Sequence, residues 1–169
     1  QIKIREWNEK PRTKLRFIKI GDIFCYQFSE EMFVFGQILG KVNVGHVIQF
    51  FDIFQASPTI TVEELSRAQF IGKPIIVDSY TLFDRSPVWS WQIIGHQADF
   101  DPSPFKDLAF KWGDPNGLQF GKVWLDGRTE PKIFSREEVE DLDWEACVGS
   151  IVYNRILEEE LASRGNKGV

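Results

Sequence analysis

Residues 21–54 read GDIFCYQFSEEMFVFGQILGKVNVGHVIQFFDIF, and this stretch decides the fold. Three short runs rich in aromatic and β-branched residues are separated by the acidic pair Glu30–Glu31 and by Gly45. Runs of this kind are typical of β-strands joined by tight turns, so the stretch predicts a three-stranded antiparallel meander. Gly36 lies inside the second run, where glycine often marks a bulge or a sharp bend. We therefore expect short, bent strands, as in a strongly twisted sheet or a small barrel.

The sequence after the meander predicts one short helix and two further strands. Thr61 followed by Glu64 gives TVEELSRA a capping-box pattern, which indicates the start of a helix. The run KPIIVDSYTLF is expected to be a strand with Pro74 at its start. PVWSWQIIGH is expected to be the next strand. Its alternation places three side chains on one face, with both tryptophans in the core: Trp89, Trp91 and Ile93.

The region between residues 98 and 134 carries more loop signals. Residues 98–117 combine three prolines with polar residues and scattered aromatics, and they predict a long connection. KVWLDG followed by RTEPKIF predicts a last hairpin, with its turn at Asp126–Gly127.

The C-terminal part of the chain predicts helices. Ser135 and Glu138 have capping-box spacing in S-R-E-E. A second helix is expected from Trp144 to Ser163, stopping at Gly165. Its apolar stripe is expected at Val148, Val152 and Ile156. The last residues, 165–169, are expected to fray.

These patterns together predict an α+β, mostly β fold: a strongly bent antiparallel sheet or SH3-like partial barrel with a C-terminal helical segment. The 169 residues are expected to form a single domain, with a β-rich body over 1–134 and the helical segment 135–165 packed on it. A composition that is 43% hydrophobic and 14% aromatic excludes intrinsic disorder.

Composition also bears on the compartment. No apolar run approaches the roughly 20 residues that a membrane-spanning helix needs, and no secretory signal is visible. Cys25 and Cys147 lie far apart and form no C-x-x-C pair. We expect two buried free thiols, which favours a cytoplasmic location.

Charge is distributed unevenly along the chain. Residues 1–20 hold seven Lys and Arg against two Asp and Glu, whereas residues 126–161 hold eleven Asp and Glu against four Lys and Arg. The net charge of −5 argues against a general nucleic-acid binder. An acidic surface suits a basic protein partner, because complementary charge speeds association and selects partners.

The sequence contains no recognisable catalytic or cofactor motif. Phosphate-binding and dinucleotide-binding glycine loops and a serine nucleophile elbow are absent. Two histidines and two cysteines, all scattered, do not predict a zinc site. DFDPSPFKDLAF resembles a calcium loop, but Pro104 and Phe110 replace the required Gly and Glu. We therefore expect no metal, no cofactor and no enzymatic activity.

Several segments match a known family in sequence. Gly21–Phe24 opens the first main strand, Phe35–Ile38 lies on the second, and Trp91 is followed by Ile94–Gly95. In these features the chain resembles the immunity protein 26 family of bacterial polymorphic toxin systems, over about residues 12–125. The resemblance implies a small, mostly β protein encoded beside a toxin, which it neutralises by tight binding without catalysis. The acidic C-terminal segment lies outside the resemblance.

The resemblance and the charge pattern together suggest a binding surface. Toxin domains in such systems are often nucleases, whose basic active sites an acidic surface could cover. We expect the cognate toxin domain to contact the acidic residues of the tail: Glu137, Glu138, Glu140, Asp141 and Asp143. A second expected patch consists of Asp99, Asp101 and Trp112.

Two other classes of function stay open at this stage. The first is a small nucleic-acid-binding β-barrel, in which the basic N-terminus with Trp7 and Phe17 binds single strands by charge and stacking. The second is a hydrolase that uses His96 with Asp99 or Asp101 as an acid–base pair. Overall acidity counts against the first class, and the scarcity of histidines and nucleophile motifs counts against the second.

Overall fold

A computed structural model of the chain describes residues 1–166. The described residues form eight strands and two α-helices, in the order β1 Ile2–Ile4, β2 Asp22–Ser29, β3 Met32–Val42, β4 Gly45–Gln55, α1 Val62–Arg67, β5 Phe70–Val77, β6 Trp91–Gln97, β7 Ala109–Gly113, β8 Phe120–Trp124 and α2 Ser150–Asn166. Short 3₁₀ turns lie at Leu15–Phe17, Ser103–Phe105 and Glu137–Val139, and a π-type turn lies at Tyr80–Asp84. The predicted stop and fraying from Gly165 are wrong for residues 165 and 166, which continue α2, and the rest of the predicted frayed segment, 167–169, falls outside the described residues.

Six of the strands form one bent antiparallel sheet in the order β1-β6-β2-β3-β4-β5. The sheet does not close, so β1 and β5 are its edges, and β7 and β8 form a separate hairpin. Register shifts interrupt the β2–β6, β3–β4 and β4–β5 pairings, and such bulges bend a sheet. The predicted mostly β fold, with a strongly bent sheet and a C-terminal helix, is confirmed.

The predicted meander corresponds to β2, β3 and β4. Its second strand is irregular at Gly36, because the register with β4 shifts between Val34 and Gly36. A Cβ atom at Gly36 would lie 2.3 Å from Cζ of Phe24 and 2.6 Å from the carbonyl oxygen of Gln49. The missing side chain therefore leaves room for the Phe24 ring on the neighbouring strand.

Trp91 lies at the centre of the largest core cluster. It is 2% exposed, and its ring stacks on Phe24 and Tyr26, with centroids 5.2 and 4.4 Å away. Tyr153 of α2 meets the same indole edge-on at 5.0 Å. The C-terminal helix thus packs on the sheet through aromatic contacts, in which burial and ring geometry both contribute.

The opposite face of the sheet carries a second cluster. Ile60 and Leu65 bring the α1 region onto this face, and Trp7 contacts Phe33 edge-on at 5.4 Å. The predicted capping box of α1 is confirmed, because the side chain of Thr61 accepts from the Glu64 amide and the Glu64 side chain accepts from the Thr61 amide. Both faces of the sheet are therefore covered.

A third cluster joins the β7–β8 hairpin to the sheet. Leu39, Val47 and Ile76 from the sheet pack against Phe110 of β7 and Val123 of β8. The prediction that residues 98–117 form one loop is therefore wrong for β7. A strand of five residues gives only a weak sequence signal. The partner strand β8 begins seven residues after β7 ends, so no tight-turn pattern joins the two strands.

The predicted hairpin over 122–134 is only partly right. A tight turn does form at Asp126–Gly127, where Gly127 has a φ of +81° and donates to the Trp124 carbonyl at 2.9 Å. However, β8 pairs with β7, and the chain after the turn makes only isolated bridges, Val123 to Thr129 and Phe120 to Phe134.

Two predicted strands have different bounds. β5 begins at Phe70 and ends at Val77, so Pro74 lies inside it, which an edge strand tolerates because one side of its backbone is unpaired. β6 begins at Trp91. Trp89 precedes it in a left-handed conformation with φ +47° and is half-buried, so it does not share the core face of Trp91.

The helical segment also differs from its prediction. The Ser135–Glu138 capping bonds form, but they begin only a 3₁₀ turn, because residues 143–145 are drawn out to pair with β7. Helix α2 begins at Ser150, six residues later than predicted. Its buried stripe runs through Tyr153 and Leu157, whereas Val152 is exposed.

The two cysteines are both free, as predicted, but only one is buried. Cys25 is fully buried in the second cluster, and Cys147 is exposed, with its thiol donating to the Val44 carbonyl at 3.1 Å. No helix within residues 1–166 combines the length and apolar character needed to cross a membrane.

Substitution of Gly36 by alanine tests the close contact with Phe24. We expect Gly36→Ala to lower the free energy of unfolding by about 1–3 kcal/mol, because the added methyl group forces the ring or the β4 backbone to move. Gly149→Ala is the matched control, since its Cβ would meet no atom within 4 Å. Urea unfolding of the three proteins measures the difference. Equal losses in both variants would contradict the contact.

Burial of His46 predicts a pH-dependent stability. Burial, with a smaller effect of nearby Lys41, lowers the pKa of His46 to about 4, and its Nδ1 hydrogen-bonds with Ser79. The unfolded state therefore binds a proton near pH 6.5, where the folded state does not. The lowered pKa of His46 therefore contributes up to about 3 kcal/mol to the free energy of unfolding. This contribution is complete above pH 6.5 and is lost as the pH falls towards 4.

The substitution His46→Gln removes the titrating group. Urea unfolding at several pH values should therefore show a shallower decline for this variant than for the unchanged protein between pH 6.5 and 4. Parallel pH profiles for the two proteins would show that the pKa of His46 is not lowered.

Candidate protein-binding surface

The β7–β8 hairpin carries the predicted aromatic residue of the site. Trp112 of β7 lies opposite Gly121 of β8 and packs over it, because a Cβ atom at Gly121 would lie 2.0 Å from the indole carbon Cε2. Trp112 is 47% exposed. Glycine at this position thus allows a large aromatic side chain to lie flat on the hairpin with part of its ring in solvent.

The acidic tail is joined to the same hairpin by backbone hydrogen bonds. The Lys111 amide donates to the Asp143 carbonyl at 2.9 Å, and the Lys111 carbonyl accepts from the Glu145 amide at 2.8 Å. Residues around Trp144 therefore run beside β7 as a short parallel extension. This pairing fixes the end of the segment that carries the predicted carboxylates.

Apolar and cationic contacts fix the middle of the acidic segment. Val139 is 1% exposed and packs with Phe120 and Phe134 beneath the 3₁₀ turn. The guanidinium of Arg136 donates to the carbonyls of Pro115 and Gly117 in the β7–β8 loop, at 3.0 and 2.6 Å. We call residues 137–143 the acidic turn, and these contacts hold it in one place on the hairpin.

Two of the five predicted carboxylates in the acidic turn have local partners. Glu138 accepts from the Ser135 amide at 2.7 Å and lies 3.6 Å from Lys132 Nζ, and the amide bond is the main reason that its pKa lies below the usual value. Asp143 pairs with Lys73 at 3.0 Å. These two side chains support the turn itself.

The other three carboxylates have no partner in the described part of the chain. The side-chain carboxylates of Glu137, Glu140 and Asp141 are exposed and make no hydrogen bond or ion pair with any of residues 1–166. They therefore present three adjacent negative charges on an anchored turn. Such charges attract a basic surface without first having to break bonds within the protein.

An apolar cleft of about 320 Å³ lies next to this turn. Trp112 and Ile133 line it together with Pro131, and Ile133 is 64% exposed. Lys132 in the cleft wall is the residue that reaches Glu138 of the acidic turn. An exposed aromatic ring, an exposed aliphatic side chain and a charged rim are the usual components of a protein-binding hot spot.

The structure divides the predicted second patch between two places. Asp101 accepts from the Ser103 amide and hydroxyl at 2.9 and 2.7 Å, and it lines a different groove, of about 240 Å³, with Trp124 and Arg128. Asp99 contacts the amino group of Gln1. Neither aspartate lines the cleft that contains Trp112.

His96 does not pair with the aspartates considered for a hydrolase. Its Nδ1 lies 2.8 Å from Oδ1 of Asp22, a buried residue whose other oxygen accepts from the Lys19 amide at 2.7 Å. Burial is the main cause of the raised pKa of Asp22. Asp99 and Asp101 both have pKa values below the usual range, because of hydrogen bonds to the Gln1 amino group and to Ser103. Within residues 1–166 no cluster of three metal-ligating side chains is present.

Sequence reasoning missed the cleft beside the acidic turn. The sequence predicts Ile133 in a hairpin strand and Trp112 in a loop, and no pattern brings the two together. The available signal was the alternation of Phe110 and Trp112, which is matched by Gly121 and Val123 on the partner strand. The need for a residue without a side chain opposite Trp112 is visible only once the pairing is known.

Comparison with known proteins identifies a family. A sequence profile of the family described as Immunity protein 26 matches residues 19–121, which is more than half of the chain. The matched range begins just before β2 and ends at the start of β8. No curated protein and no solved structure matches the chain.

Substitution of Gly121 tests the packing of Trp112. We expect Gly121→Ala to push the indole off the hairpin at a cost of about 1 kcal/mol in stability, because a half-exposed ring can move into solvent. The indole N–H resonance of Trp112, assigned from its loss in Trp112→Phe, should shift while those of the other five tryptophans stay in place. An unmoved Trp112 resonance would contradict this packing.

Proposed function

The chain belongs to the immunity protein 26 family, and from this membership we propose that it binds a cognate bacterial toxin domain and neutralises it. Protection would come from covering the active site of the toxin, without chemistry by the immunity protein. The free thiols of Cys25 and Cys147 favour a complex that forms in the reducing cytoplasm.

The observation that carries this proposal is the acidic turn beside the apolar cleft. The carboxylates of Glu137, Glu140 and Asp141 are negatively charged and have no partner among the described residues. Trp112 and Ile133 add exposed apolar surface in the cleft beside them. A basic partner such as the phosphate-binding active site of a nuclease is complementary to both features. Charge would accelerate capture, and the apolar side chains would slow release.

Rigidity of the surface supports tight binding. The acidic turn is fixed by the buried Val139, by two backbone bonds to Lys111 and by Arg136, so little conformational entropy is lost when a partner docks. The conformational entropy of this surface has already been lost when the protein folds. A flexible acidic tail of the same composition would bind with lower affinity.

The hydrolase alternative receives little support. His96 is bonded to the buried Asp22 and has no nucleophile motif beside it. Hydrogen bonds lower the pKa values of Asp99, Asp101 and Glu138, which favours their charged forms and makes them poor general acids.

Charge reversal of the acidic turn tests the proposed surface. The partner is the C-terminal domain of the toxin encoded beside this protein. We expect Glu137→Lys/Glu140→Lys/Asp141→Lys to slow association with this domain about tenfold or more at 50 mM NaCl, and to make association less sensitive to salt. Stopped-flow or biolayer interferometry at 50 and 300 mM NaCl measures both effects. Folding should be preserved, because the three side chains have no partner in the described part of the chain.

The matched control reverses three charges elsewhere. Glu30→Lys/Glu31→Lys/Glu159→Lys changes the net charge equally at exposed positions away from the acidic turn and should keep most of the association rate. Equal losses in both triple variants would show that only total charge matters, and would overturn the surface. Absence of a complex, together with no protection of cells that express the toxin, would overturn the function.

A further inference from the structure

A second groove, on the N-terminal part of the molecule, is basic although the whole chain is acidic. Its volume is about 360 Å³, and it lies between the β1–β6 pair and the segment that leads into β2. Four cationic side chains line it: Lys3, Arg5, Lys10 and Lys19. We call this the basic groove.

Three of these cations have no acidic partner. Lys3, Lys10 and Lys19 are exposed and form no ion pair with any carboxylate among residues 1–166. Arg5 is committed to the wall of the groove, since its Nε donates to the Ile93 carbonyl at 3.0 Å. The carboxylate in the lining is Asp22, which is buried and already bonded to His96 and to the Lys19 amide. The lysine charges are thus available to an anion.

The segment that carries these groups is held firmly. The Thr13 amide donates to the Phe83 carbonyl at 3.0 Å. Asp84 accepts from the Leu15 amide at 2.9 Å and from the Arg12 guanidinium at 2.8 and 3.0 Å, and these bonds keep the pKa of Asp84 low. The backbone between the first strand and β2 is therefore preorganised.

The positive charge continues beyond the basic groove. A neighbouring depression of about 560 Å³ is lined by five more cations, against the single acid Asp84: Arg12, Lys14, Arg16, Lys41 and Arg85. Phe17, which is 50% exposed, lines the basic groove and lies 4.8 Å from the Arg16 guanidinium carbon. Cations in two depressions along one segment, with an exposed aromatic ring in the first, match a chain of phosphates that carries bases.

We propose that the basic groove binds the phosphate backbone of a single nucleic-acid strand. The ammonium groups of Lys3, Lys10 and Lys19 contact successive phosphate groups of the strand, and a base stacks on Phe17 where the strand continues towards the second depression. This site is separate from the acidic turn and does not depend on the toxin-binding proposal. Local charge at the groove, and not the net charge of the chain, controls the binding.

Binding of a labelled strand tests the proposal. Fluorescence anisotropy with dT and rU 12-mers at 50 and 200 mM NaCl should show binding that weakens steeply with salt. Lys10→Gln/Lys19→Gln should weaken it about tenfold at 50 mM NaCl and lower the salt slope by about 1.4, since each lost phosphate contact on a single strand contributes about 0.7. The matched control, Lys106→Gln/Arg155→Gln, removes two exposed unpaired cations elsewhere and should leave the affinity within about twofold.

A substitution that leaves the charge unchanged distinguishes binding in the groove from nonspecific electrostatic attraction of the strand. Phe17→Leu should weaken strand binding about fivefold or more with little loss of stability, because the half-exposed ring stacks on a base and does not belong to the buried core. Full affinity in Phe17→Leu, or equal losses in both double variants, would overturn the groove. Equal binding of a polyglutamate peptide, or binding of pyrophosphate but not of either 12-mer, would overturn the nucleic-acid strand as the ligand.

Discussion

The indole of Trp91 has to fit between β2 and α2, and the rest of the structure depends on that packing. Phe24 and Tyr26 stack on it from the sheet, and Tyr153 closes on it from the helix. Phe24 in turn occupies the space left by the missing side chain of Gly36. The same cluster includes Phe83, next to the Asp84 carboxylate that fixes the N-terminal segment. Core packing therefore determines where the basic residues lie.

The acidic turn and most of the basic groove lie outside the part of the chain that matches the family. The family match covers residues 19–121, which include the sheet strands β2 to β6, α1 and β7. The acidic turn lies wholly outside this range, as do most of the cations of the basic groove. Each segment is fixed by different means, the basic one by Asp84 and the acidic one by the β7–β8 hairpin.

The sequence predicts the secondary structure correctly where local signals determine it. Turn residues and runs of aromatic and β-branched residues locate the β2–β4 meander, and the Thr61–Glu64 pair locates α1. The Ser135–Glu138 pair was read correctly as a cap, but the sequence could not show that residues 143–145 would pair with Lys111 and end the helix. The charge of the acidic turn was also visible. Which of its carboxylates stay unpaired depends on Lys73 and Lys132, which only the fold brings near.

The proline within β5 has a consequence for how the protein behaves at high concentration. An open sheet exposes the backbone of its edge strands, and a second chain can add to such an edge and start aggregation. On β5, Pro74 lacks an amide hydrogen, and the Ile76 carbonyl is already occupied by the Val148 amide at 2.8 Å. The segment before α2 thus covers part of the exposed edge of β5. This part of the β5 edge is therefore protected from pairing with a second copy of the chain.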